Sequence, residues 1–434
     1  MATDLAPTRT GGDTRDAAVL GMTIPDAQRN DVSLSATIVA PLSTIPIDPG
    51  SPAPTLRNTN NSVLPRVHAS QGKVRLAPSE GLRYETVRTL GQGGMGEVAL
   101  VNDRDIGRTV AVKKLLPEAE GQASIARFVD EVRTIGRLEH PNIVPIHDVG
   151  VDERGKLFFV MKYVEGETLE AILERLAAGD PETHRRYDVT RRVEIFMGVL
   201  RALQFAHEKG IVHRDIKPAN VMVGRFGEVV LMDWGVARPI GGPVDGDPSI
   251  TIADDEPTLA GRASSTHSGA LIGTPLYMSP EQALGAPLDA RSDLYSAAVM
   301  FHEMLNLEHR FAKVPSLPAL LVAIQMTDPP AVTSMFPGPG GKLGVGPEYG
   351  HFLKKALARD PSQRWQSADE MIYELHQILE GVCRVQCMAT FTKRMSREAG
   401  RFVDRNPRAA MFLLIAVSLV LLALVGNAFR DLIA

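Results

Sequence analysis

The 434-residue sequence contains few cysteines, little net charge and, over its first 80 residues, no aromatic side chain. Its two cysteines, Cys383 and Cys387, argue against a disulfide-stapled secreted protein. Two thiols alone also make a poor metal site, so reduced structural cysteines are expected. The formal net charge of −4 gives no reason to expect a nucleic-acid partner.

Residues 1–80 lack Phe, Trp and Tyr and hold nine prolines, with many Ser and Thr and no sustained hydrophobic period. Such a segment cannot bury enough apolar surface to offset the entropy lost on ordering. It also lacks the basic start and apolar run of a signal peptide. The sequence therefore predicts a disordered cytoplasmic tail, either a phosphorylated segment or a simple tether.

From Tyr84 to about Val382, strand-like and helix-like segments alternate between Gly and Pro. Apolar residues alternate over 84–90 and 96–101, on either side of a glycine-rich turn, which predicts a hairpin. A third strand is predicted over 108–115, and helical spacing follows over 124–139.

Helical patterns dominate after about residue 165, and the pattern over 191–210 ends at Gly210, a residue typical of helix C-termini. A strand-rich part followed by a helical part predicts an α+β fold with two lobes. We place a small β-rich N-lobe at about 81–164 and a larger α-helical C-lobe at about 165–382.

The glycine-rich turn, residues 91–96, fits the pattern G-x-G-x-x-G. In a dinucleotide-binding fold this pattern joins a strand to a helix, whereas here it leads into another strand. A loop that covers phosphates in a hairpin is therefore favoured. Because strand side chains alternate, Ala111 and Lys113 share a face. Lys113 is predicted to point at the cleft below the loop, and Lys114 away from it.

Two later segments, HRDIKPAN (213–220) and DWG (233–235), carry carboxylates suited to phosphoryl transfer. Asp215 is placed to accept a hydroxyl proton, and Asn220 and Asp233 to hold a metal. Lys217 would neutralise charge on the transferred group. Such a reaction needs these parts: positioned phosphates, a divalent metal, a carboxylate and a cation. Glu131, on the predicted helix, either holds Lys113 or is an ordinary solvated residue.

These motifs occur in the order found in one known family. The sequence reads GQGGMGEV (91–98), VAVK (110–113), Glu131, HRDIKPAN, DWG, GTPLYMSPE (273–281), SDLYS (292–296) and DPSQRW (360–365). Over roughly 300 residues it resembles the Hanks-type protein kinases. The resemblance implies the bilobal protein-kinase fold and transfer of the ATP γ-phosphoryl group to proteins.

The resemblance also implies individual roles. Lys113 would hold the α- and β-phosphates and pair with Glu131, Asp215 would be the base with Lys217 beside it, and Asn220 and Asp233 would bind Mg²⁺ or Mn²⁺. The implied ATP-binding residues are Leu90, Gly91, Gln92, Gly93, Gly94, Met95, Gly96, Val98, Ala111, Lys113, Met161, Tyr163 and Val164. Glu281 would pair with Arg364 to fix the substrate-binding segment.

Lys217 and Thr274 are similar to serine/threonine kinases, and DIKPANVMV and GTPLYMSPEQ to bacterial members. Three departures stand out: Trp234 replaces Phe, Ser279 replaces Ala, and Lys162 stands where an acidic residue is common. The sequence thus leaves two interpretations, an active kinase and a catalytically weak or inactive nucleotide-binding scaffold at the membrane. Retention of the implied lysine and carboxylates favours the active enzyme.

Residues 409–426 form an 18-residue uncharged run, interrupted only by Ser418 and the closing Gly426. Such a run, extended to Phe429, is about long enough to cross a bilayer, and a buried soluble helix is the alternative. The sequence predicts a basic juxtamembrane segment at 383–408, a transmembrane helix at 409–429 and a lipid bilayer as partner. Because six basic residues precede the run and Arg430 alone follows it, we predict a single-pass membrane protein with a cytoplasmic kinase domain.

A long segment between Asp233 and Glu281 is rich in Gly, Pro, Asp, Ser and Thr at 239–270. In resembling kinases the Arg beside the base, here Arg214, receives a phosphate from this segment. The resemblance implies trans-autophosphorylation of Thr266, Ser268 or both, in a transient homodimer. The alternative is that these hydroxyls belong to ordinary solvated loop residues.

Overall fold

The structure is a computed structural model of the full chain. It describes residues 60–62, 64, 66–70, 73–77, 81–92, 96–115, 122–240, 274–341, 344–382 and 387–433.

The described strands and helices follow the order that the sequence predicts. The strands are β1 (Arg66–Ser70), β2 (Lys73–Ala77), β3 (Tyr84–Gln92), β4 (Gly96–Asp103), β5 (Arg108–Leu115), β6 (Ile146–Val151), β7 (Leu157–Lys162), β8 (Gly166–Thr168), β9 (Ile211–Val212), β10 (Val221–Gly224), β11 (Val229–Leu231) and β12 (Arg238–Pro239). The helices are α1 (Gln122–Gly136), α2 (Leu169–Ala177), α3 (Pro181–Arg186), α4 (Val189–Glu208), α5 (Pro280–Ala283), α6 (Ala290–Asn306), α7 (Leu317–Met326), α8 (Pro347–Ala356), α9 (Ala368–Glu380), α10 (Met388–Arg405) and α11 (Pro407–Ile433).

The N-lobe is built on a five-stranded antiparallel sheet with the order β3-β4-β5-β7-β6. The predicted hairpin, third strand and helix are confirmed as β3, β4, β5 and α1. Val110 and Val112 point to one face of β5 and join a buried cluster with Val101, Phe158 and Val160. Because side chains alternate along a strand, Ala111 and Lys113 lie on the other face, toward the C-lobe.

The C-lobe is helical around a large apolar cluster to which α4 and α6 contribute most of their length. The Asp188 side chain caps α4 by accepting a hydrogen bond from the Arg191 N–H. After α4 ends, Gly210 has a φ of +72°, a left-handed conformation that favours glycine, as the sequence predicted. The two-lobed α+β architecture is therefore confirmed.

The prediction of disorder over residues 1–80 is wrong for its last part. β1 and β2 form an antiparallel hairpin, with Val67 opposite Leu76 and Ala69 opposite Val74. Apolar and polar residues alternate in both strands, a signal that outweighs the lack of aromatic residues. Asn60 also accepts a hydrogen bond from the Tyr84 N–H at 3.2 Å, which ties this segment to β3. Residues 1–59 lie outside the described residues.

The C-terminal end of the chain is helical in α10 and α11. In the part of this region that the structure describes, no single helix is long and apolar enough to cross a membrane. Helices Thr390–Arg405 and Pro407–Leu422 meet the length and composition together, with a 112° bend between them.

Candidate active site

The roof of the site is the inner face of the N-lobe sheet. The register pairs Val98 with Lys113 and Ala111 with Met161, and directly opposed residues of antiparallel strands point to the same face. Ala111 is buried, as is Val164 in the connection that follows β7. Tyr163 lies between Met161 and Val164 and is partly buried. These side chains form one continuous apolar surface beside Lys113.

The glycine-rich turn lies at the edge of this roof, where Leu90, Gly91 and Gln92 end β3 and Gly96 begins β4. A Cβ atom on Gly96 would lie 2.7 Å from the Lys114 carbonyl oxygen, so only glycine fits against β5 there. Gly93, Gly94 and Met95, the predicted tip of the turn, lie outside the described residues.

Lys113 lies between two carboxylates. Its Nζ donates a hydrogen bond to Glu131 Oε1 at 2.6 Å and lies 3.9 Å from Asp233 Oδ1. Burial by itself would lower the pKa of the Lys113 ammonium, but the two carboxylates outweigh it and hold that pKa above its ordinary value. Lys113 therefore stays charged. The structure joins β5, α1 and the DWG segment at this ammonium, the arrangement that the resemblance implies.

The loop after β9 holds three of the predicted residues close together. Lys217 Nζ lies 2.8 Å from Asp215 Oδ2, and Asn220 Nδ2 donates to the same oxygen at 3.0 Å. Asn220 also donates to the Asp215 backbone oxygen at 2.8 Å. Because its amide nitrogen is turned toward Asp215, its carbonyl oxygen is the atom left to bind a metal.

A divalent metal fits the oxygen donors on this side of the cleft. The Met232 N–H donates to the Asn220 carbonyl at 2.9 Å, so the segment that carries Asp233 is hydrogen-bonded directly to the segment that carries Asn220. Mg²⁺ typically takes one or two carboxylates and completes its shell with substrate phosphates and water. Among the described residues no group of three or more His, Cys, Asp or Glu side chains could hold a metal alone. The donor set suits a metal delivered with a nucleotide.

Asp293, near the start of α6, organises the catalytic loop, and the sequence analysis gave it no role. Its carboxylate accepts hydrogen bonds from the His213 N–H and the Arg214 N–H, both at 2.8 Å. Arg214 has a φ of +72°, a conformation unfavourable for a non-glycine residue. The two hydrogen bonds hold that strained backbone in place. A charged residue within the apolar pattern of α6 was the available signal.

Trp234 occupies a buried position behind the loop. Its ring packs edge-on against His213 with centroids 4.5 Å apart, and both side chains are almost fully buried. His213 Nδ1 accepts from the Asp215 N–H at 3.3 Å, so its Nε2 donates to the Met232 carbonyl at 3.1 Å. Trp234 Nε1 makes a long contact of 3.5 Å with the Leu231 carbonyl. Trp234 therefore acts mainly as apolar volume that supports the loop.

We expect Trp234→Phe to fold and to keep activity within severalfold of wild type, because the substitution removes one long hydrogen bond and part of a ring. The cavity left should cost about 1–3 kcal/mol of unfolding free energy. Trp365→Phe is the matched control, since that buried indole donates to the Phe352 carbonyl in the C-lobe. Denaturant unfolding and initial rates test both variants. Complete loss of activity in Trp234→Phe alone would show a specific role for the indole.

A buried ion pair holds the end of the GTPLYMSPE segment. Arg364 Nη1 and Nη2 donate to the two oxygens of Glu281 at 2.7 and 2.8 Å, and Ser292 donates to Glu281 Oε1 at 2.7 Å. Burial would raise the pKa of Glu281, but the hydrogen bonds from Arg364 and Ser292 lower it below its ordinary value. The Arg364 side chain is fully buried. The pair that the resemblance implies is present.

Arg364→Met should destabilise the protein by about 3–5 kcal/mol, because it leaves the Glu281 carboxylate buried without its cation. Arg359→Met is the control. Arg359 lies 2.8 Å from Asp328 in an exposed pair, which should contribute no more than about 1 kcal/mol. Equilibrium urea unfolding of both variants gives the comparison. Equal, small losses would contradict the structural importance of the buried pair.

Ser279, one of the departures from the resembling family, begins α5 in a capping box. Its hydroxyl accepts from the Gln282 N–H, and Gln282 Oε1 accepts from the Ser279 N–H. Gln282 Nε2 then donates to the Arg214 carbonyl at 2.8 Å. The departure thus connects α5 with the catalytic loop. Thr266 and Ser268 lie outside the described residues.

Comparison with known proteins gives a family for this geometry. The protein kinase domain family matches residues 84–376, more than half of the chain. The chain is 36% identical over 335 residues to a probable serine/threonine-protein kinase of Streptomyces coelicolor, covering 76% of this chain and 45% of that relative. It is also 36% identical over 303 residues to serine/threonine-protein kinase PknB of Mycolicibacterium smegmatis, covering 69% and 43%.

A third relative, serine/threonine-protein kinase PknD of Protochlamydia amoebophila, is 30% identical over 319 residues and is covered over 31% of its length. The chain thus spans less than half the length of these curated relatives. The family match covers the β-rich lobe, the catalytic loop, the DWG segment and the Glu281–Arg364 pair. This chain belongs to the protein kinase family.

Proposed function

We propose that this chain is a serine/threonine protein kinase that transfers the γ-phosphoryl group of ATP to hydroxyls of protein substrates. The observation that carries the proposal is the assembled cleft: Lys113 lies within 4 Å of carboxylate oxygens from both Glu131 and Asp233, and Asp215 lies beside Lys217. All the charges that phosphoryl transfer requires are present and positioned.

The geometry supports a role for each residue. Ala111 and Val98 cover the adenine, and the backbone from Met161 to Val164 meets its edge. Lys113, kept charged by its two carboxylate neighbours, holds the α- and β-phosphates. Gly91 and the other glycines of the turn let backbone N–H groups approach the phosphates.

The other half of the cleft handles the proton and the metal. Asp215 accepts the proton of the substrate hydroxyl as the oxygen attacks, and Lys217 balances the charge that develops. Asp233 and Asn220 hold Mg²⁺, or Mn²⁺ in its place. The bound metal would neutralise phosphate charge and orient the transferred group.

Phosphoamino-acid analysis tests the substrate class. Purified chain is incubated with radiolabelled ATP, Mg²⁺ and a generic protein substrate, and the labelled protein is hydrolysed. We expect phosphoserine and phosphothreonine, dependent on Mg²⁺ and absent with Asp233→Asn. Labelled phosphotyrosine alone would overturn the serine/threonine assignment.

We also propose that residues 409–429 anchor the kinase in the cell membrane, with the kinase domain in the cytoplasm. The described part of α11 supports this, because its apolar side chains stay exposed; Phe412, Leu414 and Leu422 are 69%, 67% and 68% exposed. A core helix of a soluble protein would bury such residues. The excess of basic residues before the run favours a cytoplasmic kinase domain.

Carbonate extraction of cells that express the full chain tests the anchor. We expect the chain to stay with the membrane pellet, and a variant lacking residues 409–434 to be released. A single Arg at the centre of the run, Ser418→Arg, should cost about 2.5–3.5 kcal/mol of insertion free energy. Recovery of the full chain in the soluble fraction would contradict the anchor.

The regulatory proposal concerns Thr266 and Ser268. We propose that one or both are phosphorylated in trans within a transient homodimer, and that the new charge interacts with Arg214. The position of Arg214 supports this, because it directly precedes Asp215 and its backbone is fixed by Asp293. Phosphopeptide mapping of the active enzyme should find this modification. An unmodified segment in fully active enzyme would overturn the proposal.

A further inference from the structure

The helix that leads into α11 carries an exposed apolar stripe. Phe391, Met395 and Phe402 of α10 are 44%, 50% and 47% exposed. Their spacings of four and seven residues bring them within about 40° of one another around the helix axis. Large apolar side chains at half exposure on one helix face indicate a surface that another phase or molecule covers.

Arginines flank this stripe on one side. Arg394, Arg401 and Arg405 follow one another at spacings of seven and four residues, so they form a second row next to the apolar one. The helix sequence holds five basic and two acidic residues, although the whole chain is net negative at −4. Positive charge is therefore concentrated where the chain approaches α11.

The other side of α10 is already in contact with the C-lobe. Thr390 is 1% exposed, and Arg401 Nη2 donates to the Glu380 carbonyl at the end of α9 at 2.9 Å. These contacts fix the rotation of α10 about its axis. Within the described part of the chain, the stripe of Phe391, Met395 and Phe402 faces away from the C-lobe.

The angle between the two C-terminal helices identifies the covering phase. α11 continues from α10 after a bend of 112°. If α11 crosses the bilayer, α10 lies close to the plane of the membrane surface, with only Asn406 between the two helices. An apolar row beside an arginine row is the composition of a helix that lies at a lipid headgroup boundary.

We propose that α10 is an in-plane membrane helix that binds anionic lipid. Phe391, Met395 and Phe402 insert among the acyl chains, and Arg394 and Arg405 contact lipid phosphates. Because α10 is joined to α9 and the C-lobe, the contact sets which end of the kinase domain faces the bilayer. The proposal rests on the membrane anchor of the proposed function for the orientation of α10 and not for its lipid chemistry.

An environment-sensitive fluorophore on full-length protein tests the proposal. Cys383 and Cys387 are replaced by Ser, and Met395→Cys or Ser396→Cys is labelled and reconstituted into vesicles. Ser396 is the matched control, because it is exposed and lies about 100° around the helix from position 395. We expect position 395 to shift to the blue in vesicles with about one third anionic phospholipid, and position 396 to stay solvent-like.

The charge contribution is tested in the same vesicles. Arg394→Gln with Arg405→Gln should lower the fraction of inserted label at 395 at least about threefold, whereas Arg359→Gln on the C-lobe should not. Equal spectra at 395 and 396 would overturn the in-plane helix. A shift at 395 that is as large in purely zwitterionic vesicles would overturn the anionic preference. A shift that depends on protein density instead of lipid would assign the stripe to a second copy of the chain.

The outcome is separable from that of the anchor. Flotation after carbonate treatment of the same samples reports whether α11 is inserted. A chain that floats while position 395 stays solvent-exposed contradicts the lipid contact alone. A chain that does not float contradicts the anchor, and the spectrum at 395 in added anionic vesicles still decides whether α10 binds lipid.

Discussion

Lys113→Met should lower phosphotransfer by a factor on the order of 10²–10³ or more, which is the usual cost of removing a positioned charge from a transition state. The Lys113 ammonium is held 2.6 Å from Glu131 and 3.9 Å from Asp233 and is the cation of this half of the cleft. Methionine has a similar length, so it keeps the packing against the roof and removes only the charge. Initial rates at saturating ATP measure the effect.

Lys114→Met is the matched control, because the neighbouring lysine points to the opposite face of β5. We expect its rate to stay within about twofold of wild type, as surface substitutions usually do little. Thermal unfolding of both variants checks that the loss is catalytic, since Lys113→Met leaves Glu131 buried without its partner. Full activity in Lys113→Met together with inactivity in Lys114→Met would reverse the assignment.

Asp215→Asn should lower the rate by a factor on the order of 10²–10⁴, the range expected for a positioned proton acceptor. The amide cannot take the hydroxyl proton, and it also removes the ion pair at 2.8 Å with Lys217. ATP binding should be retained, because no phosphate contact is assigned to Asp215. Turnover at saturating ATP and a separate nucleotide-binding titration distinguish the two effects.

Asp328→Asn serves as the control for this substitution, since it changes an exposed carboxylate that pairs with Arg359. Its turnover should equal that of wild type. A loss of less than about fivefold in Asp215→Asn would exclude it as the base, because a positioned proton acceptor contributes at least 10². In that case the substrate hydroxyl would lose its proton directly to the solvent or to the phosphate.

Local sequence pattern predicted the parts of the site that depend on single elements. The alternation of VAVK selected Lys113 and Ala111 for the inner face of β5, and the register with Val98 and Met161 agrees. The helical period of residues 124–139 placed Glu131 on α1, where it meets Lys113. These inferences succeed because side-chain direction follows directly from the backbone period.

Contacts between distant residues could not be read in this way. Asp293 accepts hydrogen bonds from residues 79 and 80 positions earlier, and Gln282 reaches Arg214 across 68 positions. Neither partner shows a local period. The hairpin of β1 and β2 was missed because composition was weighed over 80 residues, and the alternation covers only two five-residue strands.

The relation of α10 to the C-lobe likewise depends on tertiary contacts. The sequence showed only a basic segment before an apolar run. The structure adds the buried Thr390, the hydrogen bond from Arg401 to the end of α9 and the 112° bend. These contacts decide which face of the helix stays exposed, and no pattern within residues 388–405 contains that information.

The central claim is that the cleft of Lys113, Asp215 and Asp233 performs phosphoryl transfer. The most direct measurement follows ATP binding and radiolabel transfer to a protein substrate in parallel, for wild-type chain and Asp233→Asn with Mg²⁺. The account predicts that wild type binds ATP and labels serine and threonine over many turnovers, whereas Asp233→Asn transfers no label above background. Wild-type chain that binds ATP and transfers no more label than Asp233→Asn would contradict the claim and identify an inactive nucleotide-binding scaffold.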